Sequence, residues 1–443
     1  MVFLKAQITL NEICVLAALV SMPIIPILLQ SKLVPRIRTM VSLDFMLFCF
    51  MYRLSQKSKR QLNSECRCHS RYRKSFYKQL SEYERRIRRR YIPRPSLHVP
   101  LASAWRRLYD AKQDQALITL TGVDFDTFDW LVARFNRYYD SHSPFVDSEY
   151  GLIVPMARHK GRPRHCSGTA ILGLCLAWTR TRGSCMVLQM IFGMTANSVS
   201  MYLRFGRRIL IAVLNKEPDA RIQVPDAETI RHYQRLVTNR HPILDGVWCT
   251  MDGLKLKLQR APKVDVENNF FNGWKHDHYV GAVIVFCPDG TIPIVCFNVP
   301  GSVHDSLIAD WGSVYDKLED VWERCGGKCT VDSAFSARRN EYLIRSAQTV
   351  IEGDTRREFA FNLELNREAT SMRQSAEWGM RAFQASFPRL QDRFIFEQNG
   401  ERRLIVKMCL LLYNLRARRI GINQIRSVYL HSLEHTNVQQ LFR

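Results

Sequence analysis

Acidic side chains are in short supply: 41 Asp and Glu stand against 64 Lys and Arg, a formal charge of +23 over 443 residues. That balance argues against a cationic partner and for a polyanionic one, because neutralising phosphates releases counterions and drives association. Nucleic acid is the leading candidate; a basic tail that only aids solubility or targeting is the plainer alternative. No internal repeat and no extended low-complexity tract is visible, which argues against a solenoid. The thirteen cysteines follow no regular spacing, so a reducing compartment fits better than a secreted disulfide scaffold. Two short groups, Cys66-Cys68-His69 and Cys325-Cys329, lack a second matching pair and read as ordinary thiols rather than zinc ligands. The hydrophobic fraction of 46% is ordinary, and the length allows two or three domains.

Residues 1–52 form an apolar leader. Ile13 to Leu29 is a 17-residue uncharged run interrupted by Pro23 and Pro26, and "FMLFCFMY" follows. It reads as a signal peptide, an anchor, or an extension of the reading frame upstream of Met40. A membrane span sits poorly with the basic, thiol-bearing remainder. A nuclear protein is therefore expected, with membrane association the alternative if residues 13–29 are a real span.

Residues 53–99 are basic and read as solvated chain: Arg53 to Arg94 holds 15 Lys and Arg against three acids and ends in "RRIRRRYIPRP". The run suits a nuclear address, a phosphate contact or a charged helix face. From residue 100 to 240 the signals are helical. Phe125, Phe128, Leu131 and Phe135 recur at helical spacing. "KGRPR" then contributes Arg162 and Arg164, either a minor-groove hook or a basic loop. "TAILGLCLAWTRTRG" reads as a helix ended by Gly183. A short helix, a turn at "FGMT" and a longer helix from about Ala196 follow in helix-turn-helix rhythm. Asn197, Ser198 and Arg204 would face DNA and Val199, Leu203 and Ile209 the core; a structural helical hairpin is the alternative.

After "HPILDG" the pattern changes to strands. "GVWCTMDGLKLKL" alternates, two β-rich runs flank the turn Pro288-Asp289-Gly290, and "KCTVDSAF" is a short run ending in Asp332. Helical patterns return in "RQSAEWGMRAFQASF" and "LIVKMCLLLYNLRARRI". Together they predict a mixed sheet covered by helices over residues 241–420, with a C-terminal tail at 421–443. Asp252 interrupts the first strand, Asp305 follows the third, and Glu377 lies on a helix. Hard carboxylates of this kind hold Mg2+ or Mn2+, and two such ions roughly 4 Å apart suit phosphoryl transfer.

The segments "MDGLKL", "NNFFNGWKHDHYVGAVIVFCPDGTI", "NVPGSVHDS", "VDSAF", "AEWGMRAFQASF" and "LLLYNL" resemble, in order, the Harbinger-type DDE transposases and their domesticated nuclease relatives. The likeness runs from about Phe125 to Leu415. It implies an RNase H-like fold with flanking helices, preceded by a helical domain that contains the helix-turn-helix-like segment. By resemblance Asp252, Asp305 and Glu377 are the catalytic acids and Asp332 a further metal ligand, for which an ordinary turn cap is the alternative; His304 either orients Asp305, contacts phosphate or is a satisfied structural histidine. Arg373 and Arg381 lie four residues either side of Glu377. The resemblance implies a divalent-metal-dependent nuclease or transposase acting on element ends and target DNA. A separate Myb/SANT- or MADF-like DNA-binding protein and a homo-oligomer are further expectations. A domesticated DNA-binding or scaffold protein without cutting activity is the alternative.

Overall fold

In a computed structural model the chain divides into two compact units, residues 1–90 and 91–443. The structure describes residues 74, 78, 92–143, 164–260, 267–335, 341–345, 356–395 and 398–429. In the first unit these are Lys74 and Lys78, both helical and exposed. The apolar leader, the Cys66-Cys68-His69 group, the arginine run at 85–90, Arg162 and residues 430–443 lie outside the described residues. Among the described residues no single helix is long and apolar enough to cross a membrane.

The second unit begins with helices whose starts are written locally. α1 (Ala104–Asp110) is capped by Ser103, α2 spans Asp114–Thr121, and α3 (Phe125–Ser141) is capped by the Asp124 carboxylate. Such caps satisfy backbone N–H groups that have no partner within the helix. Phe128, Leu131 and Phe135 of α3 are fully buried, while Phe125 is half-buried at its edge. α4 (Gly168–Thr179) is apolar on nearly every face and runs through the core. It stops at Thr179, short of Gly183.

α5 (Met186–Phe192) and α6 (Ala196–Leu214) meet at 89°. Gly193 makes the turn at φ +65°, where a Cβ would land 2.4 Å from the His98 carbonyl oxygen. Thr195 then caps α6. α7 (Ala227–Arg240) leads into the sheet.

The sheet consists, among the described residues, of β1 (Val247–Lys257), β2 (Phe271–Asn272), β3 (Asp277–Phe286), β4 (Val295–Pro300), β5 (Lys328–Val331) and β6 (Leu343–Arg345). β1 is central: antiparallel to β3 on one side, parallel to β5 on the other. β4 continues antiparallel from β3 and β6 parallel from β5. Two short helices, α8 (Asp305–Trp311) and α9 (Val314–Cys325), connect β4 to β5. Two long ones, α10 (Arg356–Ser386) and α11 (Asn399–Arg419), complete the unit.

Alternation along β1 and β3 assigns the two faces of the sheet. Leu254, Leu256, Ile284 and Phe286 join Ala369, Met372, Ala376 and Met380 of α10 and the N-terminal helices in one continuous core. Cys249, Met251, Val283 and Val285 join α7, α8 and α9 in the other. Buried on both faces, β1 and β3 read as long apolar runs, and a carboxylate within one must be explained by its neighbours.

Candidate nuclease site

Asp252 shares the face of Leu254 and Leu256, the side covered by α10. Parallel pairing matches Thr250 with Thr330, so the same register continued two residues brings Asp332, just past β5, beside Asp252 on the same face. The chemistry agrees with that placement. The Asp252 carboxyl is pushed up to about 6, first by burial and then by the like charges of Asp332 and Asp305; the Gly253 N–H and the Arg373 guanidinium pull against the rise. The Gly253 N–H donates to Asp252 Oδ1 at 2.7 Å. Asp332 Oδ1 accepts from the Ser333 N–H at 2.7 Å.

Glu377 lies one turn beyond Arg373 on α10, and the two are paired at 2.9 Å. Arg373 thus links the helix acid to the strand acid. Arg373 Nε is buried with no hydrogen-bond partner. Arg381, the other arginine flanking Glu377, is exposed.

Asp305 reaches β1 from the opposite face. A Cβ on Gly253 would fall 2.2 Å from Asp305 Oδ2, so the carboxylate lies where any other residue would have a side chain. Lys255, two residues along on that face, donates to Asp305 Oδ1 at 2.6 Å and to the Val303 carbonyl at 3.3 Å. Its side chain is 9% exposed, so the charge is drawn into the sheet by its partner rather than by solvent. His304 caps α8: its Nδ1 accepts from the Ser306 N–H at 3.3 Å. Asp305 thus approaches β1 on the face of Gly253 and Lys255, and its charge, like that of Asp332, still reaches Asp252, while Arg373 joins Asp252 to Glu377 on the other face.

Among the described residues no three His, Cys, Asp or Glu side chains form a group able to hold a metal ion. Donor type nonetheless fits a hard divalent cation: Asp252 and Asp332 are neighbouring carboxylates whose mutual repulsion a cation would relieve. Asp305 and Glu377 are each neutralised by a cation of the chain itself.

The expected DNA-facing residues divide as well. Asn197 and Arg204 are exposed on α6, and Val199, Leu203 and Ile209 are buried. Ser198 is turned toward the cap, its hydroxyl 3.0 Å from that of Thr195. Arg164 is committed internally: its guanidinium donates to the Tyr139 and His142 carbonyls and lies over the Tyr139 ring. It fastens the end of α3 rather than facing solvent. Cys325 is half-buried and Cys329 buried, and their thiols donate to the Val321 and Thr330 carbonyls. Lys255 and Gly253 were not singled out by sequence; the available signal was a lysine within a buried strand.

A curled mixed sheet with β1 between an antiparallel and a parallel neighbour, helices on both faces and an acid within β1 and another just past β5 defines an RNase H-like domain. Residues 251–414 match the family described as DDE superfamily endonuclease. The match spans every strand-borne and helix-borne acid considered above and supports a transposase-type nuclease. No curated protein and no solved structure matches the chain.

Proposed function

We propose that the chain is a divalent-metal-dependent DNA endonuclease of the Harbinger transposase type, acting in the nucleus on element ends and target DNA. What supports this reading is that the charges of Asp332 and Asp305 act on the buried Asp252 carboxyl, while Arg373, which favours its ionised form, is paired with Glu377. Asp252, Asp305 and Glu377 as the catalytic acids, with Asp332 as a further ligand, would hold Mg2+ or Mn2+, and the charges of Asp332 and Asp305 both act on Asp252. Bound there, the metal would polarise the scissile phosphate and lower the pKa of the attacking water.

The chain's own groups prepare that site. Asp252 must be ionised to serve, and Arg373 and the Gly253 N–H favour the charged form against burial. Lys255 fixes Asp305 against Gly253 and so anchors the start of α8 beside β1. The formal charge of +23 supplies affinity for the phosphate backbone. A 3′-hydroxyl released by cleavage would attack a target phosphodiester in line, breaking its P–O3′ bond so that the target strand leaves with a free 3′-hydroxyl, and strand transfer would be complete without a covalent enzyme intermediate. Joining two ends calls for a multimer, and a Myb/SANT- or MADF-like protein is the expected accessory.

A second reading, a DNA-binding scaffold of transposase descent that no longer cuts, draws on the ion pairs that already occupy Asp305 and Glu377. One assay separates them. The full chain with Mn2+ should nick supercoiled plasmid, and Asp252→Asn should abolish nicking while leaving salt-dependent binding within about twofold. Binding without cleavage under any divalent metal supports the scaffold, and undiminished nicking by Asp252→Asn removes the site assignment.

A further inference from the structure

Trp274 is 92% exposed, more than any other large apolar side chain among the described residues. It sits in the four-residue turn 273–276 between β2 and β3, where Phe271 pairs with His278 and Asn272 with Asp277. The turn is fixed in place. Asn272 Oδ1 accepts from the Lys275 N–H at 3.0 Å, and Asn272 Nδ2 donates to the Gly301 carbonyl at 2.8 Å. Ser302 Oγ donates to the Asn269 carbonyl at 2.6 Å. The segment that leads into Asp305 is therefore bonded to the hairpin on both sides of Phe271. With four residues from Gly301 to Asp305, Trp274 lies within about 30 Å of Asp305, fewer than about nine base steps of duplex.

The acids beside the turn have partners. Asp277 is held by both terminal nitrogens of Arg393, at 2.9 and 2.7 Å, and Glu267 by His278 at 3.0 Å. Lys257, Arg260 and Lys275 are exposed. An indole held in water on a bonded turn, with exposed cations on the turn and on the end of the neighbouring strand and with the Asp277 charge met by Arg393, matches the combination that binds unpaired nucleic-acid strands: an aromatic face for a base and cations for the flanking phosphates.

We propose that Trp274 is a base-stacking contact, laying its indole on an unpaired base of the bound DNA while Lys257, Arg260 and Lys275 engage adjacent phosphates. This rests on the reading of the chain as a DNA-binding nuclease and adds a preference for locally opened DNA. An acidic protein surface is the competing occupant.

The test uses the full chain and its Trp274→Ala and Trp274→Phe variants, without divalent metal and at one salt concentration. Fluorescence anisotropy would measure binding to two labelled duplexes of equal length, one fully paired and one with mismatched, splayed bases at one end. The wild type should prefer the splayed duplex. Trp274→Ala should lose roughly 5- to 150-fold on it, the range of one base stack, and stay within about twofold on the paired duplex. Trp274→Phe, which keeps an aromatic face, should recover most of the loss. Equal affinity of wild type and Trp274→Ala for the splayed duplex, or an equal loss on both duplexes, overturns the proposal while leaving the nuclease reading intact. Failure of the wild type to bind either duplex overturns both.

Discussion

Asp252→Asn should make the metal-free protein more stable at neutral pH. The wild-type carboxyl is raised from 3.8 to about 6, chiefly by burial. At about 1.4 kcal/mol per pK unit, ionised Asp252 weakens the folded state by about 3 kcal/mol at pH 7.5. The sign follows from proton counting. Between pH 4 and 6 the folded chain retains a proton that the unfolded chain has shed, so stability is greatest below about 4, declines through this window and remains lower above it. Asparagine has nearly the same shape, keeps an acceptor for the Gly253 N–H and does not ionise. The advantage of the variant should thus be about 3 kcal/mol at pH 7.5 and under about 1 kcal/mol at pH 4, roughly 4–12 °C in Tm at the higher pH for a domain of this size.

Urea and thermal unfolding of the full chain in chelator, at both pH values, measure this directly. Adding Mn2+ should offset most of that difference at a hundredfold excess over Kd, where it stabilises the wild type by about 2.7 kcal/mol, and reverse the order at a thousandfold excess, where it contributes about 4.1 kcal/mol, with the variant gaining much less. A variant less stable than wild type at pH 7.5, or an advantage of equal size at both pH values, would refute the account of Asp252 as a strained, buried acid.

Other perturbations probe the neighbours. Nicking should fall as pH drops through about 6, where Asp252 takes up its proton; Arg373→Met should move that limb to higher pH, since the guanidinium favours the ionised form, and a pH–rate profile reads the shift. Gly253→Ala places a methyl 2.2 Å from Asp305 Oδ2 and should lower the nicking rate at least about tenfold by displacing the carboxylate, a loss comparable to that of removing one placed catalytic group. Gly273→Ala, which meets nothing within 4 Å, should leave the rate and fold essentially unchanged. Lys255→Met leaves a largely buried carboxylate without its cation and should cost about 1–3 kcal/mol in urea unfolding; pairing it with Asp305→Asn should recover part of that loss, and strict additivity would argue against the ion pair.

Much of the sheet was legible because its signals are local. β1 falls on the alternating run around Asp252, and Gly290, at φ +81°, makes the turn after Pro288 that separates β3 from β4. The second β-rich run departs from a ladder at its start for a tertiary reason: the Ile292 N–H and carbonyl are taken by the Asn414 side chain at 2.8 and 2.9 Å, and β4 begins only at Val295. α10 begins at Arg356, well before the helical signal, because Phe359, Phe361 and Leu363 are exposed and spaced by two, so they mark no buried helical stripe. Arg164 looked like a DNA contact in a basic stretch, and only the fold shows the backbone carbonyls that claim it.

The acids illustrate the same limit at the site. Spacing along the chain identifies a strand acid, a loop acid and a helix acid but not the face from which each approaches. Strand parity gives the missing information once the partners are known: Gly253 and Lys255 face away from Asp252, so the acid that touches them, Asp305, must come from the other side. Asp332 gains its place from parallel register with β5, a pairing across about eighty residues that no local pattern encodes. The two cations then follow from electrostatics. A sheet buried on both faces tolerates isolated carboxylates poorly, so Lys255 and Arg373 compensate Asp305 and Asp252 from their respective sides. They leave the Asp252–Asp332 pair as the position where one further positive charge would gain most.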